Sequence, residues 1–239
     1  SIRKFRSEPI APEVLQDMLE AASRASTCGN MQLYSLIVTQ SRELREALAP
    51  CHFNQPMVTQ APCVITVCAD VHRFSMWCEQ RDAEPCYDNF AWFLNGVTDA
   101  LLAAQNLCVE AEAHGLGICY LGTTIYTAEE IARILDLPKG VIPVTTIVVG
   151  HPDESPELTD RLPLDAVVHC EKYHHYTSSE IDELWAEKET SEETRRLLEE
   201  NGLPNLAQIF TRNRYRAEDN LAISRNYFAL LKKQGFFNN

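Results

Sequence analysis

Two arginines far apart in the chain frame the chemistry this sequence could do. Arg3 lies two residues after Ser1 in Ser1-Ile2-Arg3-Lys4-Phe5, and Arg161 closes the run Ser155-Pro156-Glu157-Leu158-Thr159-Asp160-Arg161. A guanidinium keeps its charge at every physiological pH and donates in pairs, so two of them with a hydroxyl and main-chain N–H groups suit a phosphate dianion. Between them, Gly117-Ile118-Cys119-Tyr120-Leu121-Gly122-Thr123 reads as a strand running into a glycine turn, where backbone can approach a flat ring closely. The GxGxxG spacing of a dinucleotide fingerprint is missing, and there is no GxSxG, HExxH or P-loop pattern.

Other polar residues admit two readings each. Thr27 and Gln32, in Ser26-Thr27-Cys28-Gly29-Asn30-Met31-Gln32, either contact a ligand or belong to a turn that satisfies loose helix carbonyls. Gln55, in Asn54-Gln55-Pro56, is either a ligand contact or ordinary loop chemistry. Arg212, Arg214 and Arg216 form the one dense basic cluster, either a solvated loop or a second anion site. His169, Cys170, His174 and His175 fit no common zinc spacing and read as a surface loop, so no metal is expected.

The elements that would position these residues are legible from periodicity. Pro12 opens a helix whose apolar face is Val14, Leu15, Met18, Leu19 and Ala22. Residues 33–39, 63–69, 117–121 and 141–149 read as strands, the second apolar almost throughout and so buried on both faces. A short helix is expected over 41–48. A long one is expected over 88–114, with apolar residues round much of its circumference and Gly115 as its stop. That helix suits a core or a subunit interface. Thr127-Ala128-Glu129-Glu130 reads as a capping box, residues 181–200 as one strongly charged helix, and Asp219 as the N-cap of a last helix reaching Gln234. The fold class is α+β, a mixed central sheet surrounded by helices with a helical C-terminal extension. Residues 1–163 are expected to form the core and 164–239 an excursion packed on it or on a partner.

Totals narrow the function classes. The 239 residues are 45% hydrophobic, enough for one substantial core, and the net charge of −13 argues against nucleic-acid or anionic membrane surfaces. No apolar run approaches the ~20 residues of a membrane helix. Nine cysteines include no CxxC pair, and most of them read as buried, reduced thiols, which fits a reducing cytoplasm. The sequence opens without Met and inside a motif, so residues upstream of Ser1 are expected.

In this order and at these separations, Ser1-Ile2-Arg3, the segment 115–124 and Thr159-Asp160-Arg161 resemble the FMN-dependent nitroreductase and flavin reductase family, in particular its NADPH-preferring branch. The resemblance implies that Ser1, Ile2 and Arg3 hold the FMN phosphate and ribityl chain, with a further basic pair just before Ser1. It implies that Thr27, Gln32 and Gln55 contact the cofactor, and that Tyr120, Leu121, Gly122 and Thr123 lay their backbone along the isoalloxazine. Relatives often carry two glycines where this chain has Gly122-Thr123. Arg161 matches the arginine of a Lys-Pro-Arg phosphate clip whose lysine is here Thr159. Arg212, Arg214 and Arg216 fall where that branch holds the 2′-phosphate of NADPH. The implied protein is a homodimer with FMN at the subunit interface, passing electrons from NADPH to a nitroaromatic, quinone or flavin by a ping-pong mechanism. The flavin carries the chemistry and no acid–base residue is expected. Alternatives are a flavin-binding or regulatory module without turnover, and a flavin enzyme of the same fold with different chemistry.

Overall fold

An apolar strand organises the molecule: all eight residues of Cys63–Asp70 are buried. In a computed structural model describing residues 1–237, the elements run α1 (Pro12–Ser23), β1 (Tyr34–Thr39), α2 (Arg42–Leu48), α3 (Met57–Gln60), β2 (Cys63–Asp70), α4 (His72–Glu79), α5 (Phe90–Ala113), β3 (Gly117–Leu121), α6 (Ala128–Ile134), β4 (Val141–Gly150), α7 (Ser178–Thr190), α8 (Glu192–Asn201), α9 (Leu206–Ile209) and α10 (Ala217–Lys233). The chain divides into two compact units, residues 1–156 with 223–239, and residues 157–222. The division thus falls at 156 and 222 instead of at 163, and the last part of α10 belongs with the sheet.

The first unit holds a four-stranded sheet in the order β1-β2-β4-β3. Every pairing is antiparallel, where a mixed sheet was expected. The continuous burial of β2, expected from its apolar run, arises because both faces of the antiparallel sheet are covered. On one face Cys63, Ile65 and Val67 pack with Met18 of α1 and with Ala100, Ala103, Ala104 and Leu107 of α5. On the other, Val64 and Val148 pack with Met57, Val58 and Phe5. Small residues bring α5 close: a Cβ at Gly96 would stand 3.1 Å from Ala69 Cβ and from the Leu33 carbonyl. Pro143 sits within central β4, where its missing N–H would break a ladder. The register shifts at Val67/Cys68 opposite it, forming a bulge, and the Tyr227 hydroxyl donates to the Pro143 carbonyl at 3.0 Å.

Helix boundaries follow local chemistry with three departures. Asn89 caps α5 by accepting from the Trp92 N–H at 3.3 Å, and Gly115 at φ 73° ends it. Thr127 forms no capping box: its hydroxyl donates to the Cys51 carbonyl at 2.7 Å, and Glu130 pairs with Arg133. Asp219 lies inside the first turn of α10, accepting from Arg216 at 2.7 Å, and is not its N-cap. The single charged helix expected over 181–200 is two, because Ser191 turns extended and caps α8 through the Thr194 N–H at 3.1 Å. The capping box of this region belongs to Thr177 and Glu180, whose N–H and hydroxyl bonds hold the Glu180 carboxyl down at about 2. In the second unit α7, α8 and α9 pack round one another, with Leu206 and Ile209 buried.

Candidate active site

The N-terminal segment is locked onto the ends of β3 and β4. Ile2 N–H donates to the Ile118 carbonyl, Arg6 N–H to the His151 carbonyl and Asp153 N–H to the Lys4 carbonyl, each at 2.9 Å. Glu154 accepts from the main-chain N–H groups of Arg3 and Lys4 at 2.5 and 3.1 Å, bonds that lower its pKa. The close approach requires Gly117, where a Cβ would meet Ile2 at 2.6 Å. The backbone of Arg3 is thereby fixed while its side chain is exposed, and its guanidinium has no ion pair among the described residues. The Glu154 carboxylate bound to its main chain also attracts the Arg3 charge, without forming an ion pair with the guanidinium.

From that anchor β3 runs to Gly122 and Thr123. Gly122 lies four residue steps beyond Ile118, about 14 Å of extended chain. The side chains of Tyr120 and Leu121 belong to the core. Tyr120 packs against the α5 cluster, its phenol pKa raised by burial, and Leu121 is buried with Val64 and Val148 on the other face. Only their main chain is available to a ligand. Gly122 is exposed, and a Cβ there would meet nothing within 4 Å. The end of β3 therefore presents bare backbone to open space.

Two other loops of the first unit lie at opposite edges of the sheet, one beside the end of β3 and one leading into β1. The turn Ala49–His52 lies beside Thr123, since His52 Nδ1 and Thr123 Oγ1 are 2.9 Å apart. Directly after it, Phe53 and Asn54 take the left-handed conformation at φ 55° and 54°, and Gln55 follows, half-buried. The loop carrying Thr27 and Gln32 is strained in the same way: Gly29, Asn30 and Gln32 have φ of 55°, 55° and 54°. Non-glycine residues rarely sit there and concentrate at ligand sites when they do. Asp99 imposes this shape. From the buried face of α5 its carboxylate accepts from the Cys28 N–H at 2.9 Å and the Leu33 N–H at 3.0 Å, one bond to each oxygen. Arg73 donates to the Gln32 carbonyl and, at 3.3 Å, to that of Tyr34, and Asp70 lies 3.6 Å from Arg73. The Gln32 amide folds back on the Asn30 carbonyl at 3.2 Å, and Thr27 is half-buried and makes no capping bond.

Asp99, His52 and Arg73 were not singled out in the sequence. An acidic residue in mid-helix among Gly96, Ala100 and Ala103 was a usable signal for Asp99, because a buried carboxylate needs partners. A lone histidine in a short turn carries no such signal.

The remaining sequence candidates lie in the second unit. Arg161 bonds its own loop, to Thr159 Oγ1 at 2.7 Å and the Asp160 carbonyl at 2.8 Å. Asp160, which adds a negative charge beside it, is engaged by Lys188 at 2.7 Å, a contact that lowers its pKa. The three arginines of the basic cluster are not equivalent. Arg216 pairs with Glu218 and Asp219 at 2.9 and 2.7 Å, Arg214 stands 5.5 Å over the Phe210 ring, and Arg212 has no ion pair among the described residues. Arg212 and Arg214 lie within the π-helical turn Phe210–Arg214, and Arg216 follows it. His174 bonds Glu180 at 2.9 Å, and Tyr173 packs against His169 with ring centroids 4.5 Å apart.

The family model described as "Nitroreductase family" matches residues 1–151. The chain belongs to the nitroreductase family. The matched residues hold the locked N-terminal segment, both strained loops and the end of β3. A curated relative, an NADPH-dependent oxidoreductase from Staphylococcus aureus, is 35% identical over 178 residues, covering 73% of this chain and 70% of its own. Among solved structures, a protein from Bacteroides fragilis is 49% identical with a TM-score of 0.97, covering 100% of this chain and 97% of that one. NADPH:FMN oxidoreductase from Vibrio harveyi, complexed with NAD+, is 27% identical with a TM-score of 0.81, covering 100% and 95%. The second unit of this nitroreductase-family chain lies beyond the family match but within the structural ones.

Proposed function

We propose that the protein is a homodimeric, FMN-dependent oxidoreductase that takes electrons from NADPH and reduces nitroaromatics, quinones or flavins by a ping-pong mechanism. Membership of the nitroreductase family makes it an NAD(P)H-dependent flavin oxidoreductase with FMN as cofactor and NADPH as co-substrate. The observation that carries the reading is the pairing of a fixed Arg3, its guanidinium exposed and outside any ion pair among the described residues, at one end of β3 with the bare backbone of Gly122 at the other. That is what a flat ring tethered to a phosphate by an extended chain needs, and the residues present fit FMN.

FMN, when bound, supplies the two-electron chemistry, accepting from NADPH and giving to the acceptor. The chain's own residues bind and orient. Arg3 donates to the phosphate with Ser1 beside it, Ile2 fixes their place by its main-chain bond to Ile118, and Thr159 and Arg161 are the further phosphate contacts that the family resemblance implies. Thr27, Gln32 and Gln55 supply polar contacts from loops that Asp99 and the left-handed backbone hold in place. The main chain of Tyr120, Leu121, Gly122 and Thr123 lines the ring. The open space at Gly122 admits donor and acceptor in turn, which supports ping-pong order. Arg212, Arg214 and Arg216 serve the 2′-phosphate of NADPH, with Arg212 the one whose charge is uncommitted.

Dimerisation is supported by α5. One face is buried on the sheet, while Phe90, Leu94, Leu101, Leu102 and Val109 are each more than 40% exposed. An apolar stripe that long is unfavourable in water and suits a hydrophobic subunit contact. Among the described residues no helix is long and apolar enough to cross a membrane. All nine cysteines are unpaired, which supports a reducing cytoplasm.

Anaerobic titration of the FMN-loaded protein with NADPH tests the reading. Bleaching of the flavin band at one equivalent, followed by its return on adding a quinone, is the expected result. Flavin that binds but that no nicotinamide reduces would identify a binding module instead.

A further inference from the structure

The imidazole of His52 is buried, 0% exposed, and its surroundings settle which nitrogen carries the proton. Nδ1 faces Thr123 Oγ1 at 2.9 Å, whereas Nε2 is enclosed without a hydrogen-bond partner. Were the proton on Nε2, the protein would bury an N–H donor with nothing to accept from it. Orphaned donors are rarer and costlier than orphaned acceptors. With the proton on Nδ1, the buried Nε2 is merely an unused lone pair, and Nδ1–H donates to Thr123. Burial also lowers the pKa of His52 to about 4, so the ring is neutral under ordinary conditions.

The consequence falls on Thr123. A hydroxyl has one donor and two acceptor positions. Accepting from His52 leaves the Thr123 O–H unspent, and the hydroxyl has no second partner among the described residues. Thr123 is half-buried, next to exposed Gly122 at the end of β3. The turn bearing His52 is tied to the same segment a second time, through Thr127 Oγ1 and the Cys51 carbonyl at 2.7 Å. The geometry therefore holds one hydroxyl with its acceptor side occupied and its proton free, beside the open space where the ring is placed.

We propose that His52 is a positioning residue that turns Thr123 into a hydrogen-bond donor to the polar edge of the flavin, a side-chain contact added at a position where a glycine could offer only backbone. The proposal rests on the FMN reading above. A donor at that edge stabilises the negative charge that reduction brings, so it favours the reduced cofactor.

Two measurements test it. In the cofactor-free protein, long-range nitrogen–proton NMR of the histidine rings reads the tautomer, and Nδ1–H at His52 is expected. In the FMN-loaded protein, Thr123→Val, which keeps the shape and removes the hydroxyl, should lower the two-electron reduction equilibrium ~tenfold, a midpoint shift of ~30 mV to the negative. Thr123→Ser should restore the wild-type value. His52→Asn, whose amide can reach Thr123 from the position of Nδ1, should stay near wild type, while His52→Leu should match Thr123→Val. An Nε2–H tautomer, or Thr123→Val at the wild-type potential with FMN bound, would overturn the proposal and leave the FMN reading intact. Wild-type protein that takes up no FMN would instead overturn that reading and the ligand half of this one.

Discussion

Asp99→Asn isolates the device that shapes the loop carrying Thr27 and Gln32. In the native protein each carboxylate oxygen accepts one main-chain N–H, from Cys28 at 2.9 Å and Leu33 at 3.0 Å, in a buried site. Hydrogen bonds to a charged acceptor contribute ~1.5–3 kcal/mol each. Asparagine keeps one acceptor oxygen but turns an NH2 toward the other N–H, which loses its bond and stays buried. The expected loss is therefore ~2–4 kcal/mol. Some of this is offset as Asn30 and Gln32 leave the left-handed region, where each holds strain of ~1 kcal/mol or more. A net ~2 kcal/mol in a chain of this size lowers Tm by ~4–8 °C. Thermal unfolding followed by circular dichroism reads the total, and hydrogen exchange at the Cys28 and Leu33 amides reads the site. Faster exchange at those two amides and weaker FMN binding should accompany the lower Tm. Native exchange at both, with an unchanged Tm, would refute the clamp. Uniformly faster exchange across the sheet would mean that Asp99 supports the fold and not the loop.

Replacing Arg3 and Arg161 together with alanine should give folded protein without bound flavin; full flavin occupancy in the double variant would show the phosphate to be held elsewhere. Arg212→Ala should raise KM for NADPH ~tenfold and leave NADH unchanged, the difference expected for one phosphate contact. Arg216→Ala, which breaks pairs with Glu218 and Asp219, should weaken the start of α10 and raise KM for NADPH by less than Arg212→Ala does, because its charge is already shared with two carboxylates. The His52 pKa, lowered by burial from 6.5 to about 4, fixes the sign of an acid effect. Between those values the unfolded chain binds a proton that the folded protein refuses, so stability falls as pH drops through the window, by ~3 kcal/mol at its lower end. Urea unfolding at pH 7, 5.5 and 4.5 should show that slope in the wild type and a shallower one in His52→Asn.

Much of this architecture was readable before any coordinates, because the strands are short apolar runs bounded by turn residues and α5 has both an apolar period and a glycine stop. Sheet direction was not, since a strand buried on both faces looks the same whether helices or neighbouring segments cover it. The Thr127 capping box failed for a tertiary reason: the Cys51 carbonyl competes for its hydroxyl. The break at Ser191 was invisible because helix-forming Glu and Leu continue on either side of it. At the candidate site, the surroundings of the motif residues were not legible. Tyr120 and Leu121 offer backbone because their side chains fill opposite cores, a fact that depends on the sheet having two covered faces. Asp99 and His52 act through partners 66 and 71 residues away, at Leu33 and Thr123, which no local pattern encodes.

Helix α5 carries Asp99 on its buried face and the apolar stripe Phe90, Leu94, Leu101 and Val109 on its exposed one. In the proposed homodimer a single helix would therefore answer to two equilibria, ordering of the cofactor loop and association of subunits. By reciprocity, whatever free energy one lends the other must be returned in equal measure. If assembly steadies α5, FMN tightens the dimer by the factor by which the dimer tightens FMN. Cofactor content then becomes a function of protein concentration, and a stock that is yellow when concentrated bleeds its flavin on dilution.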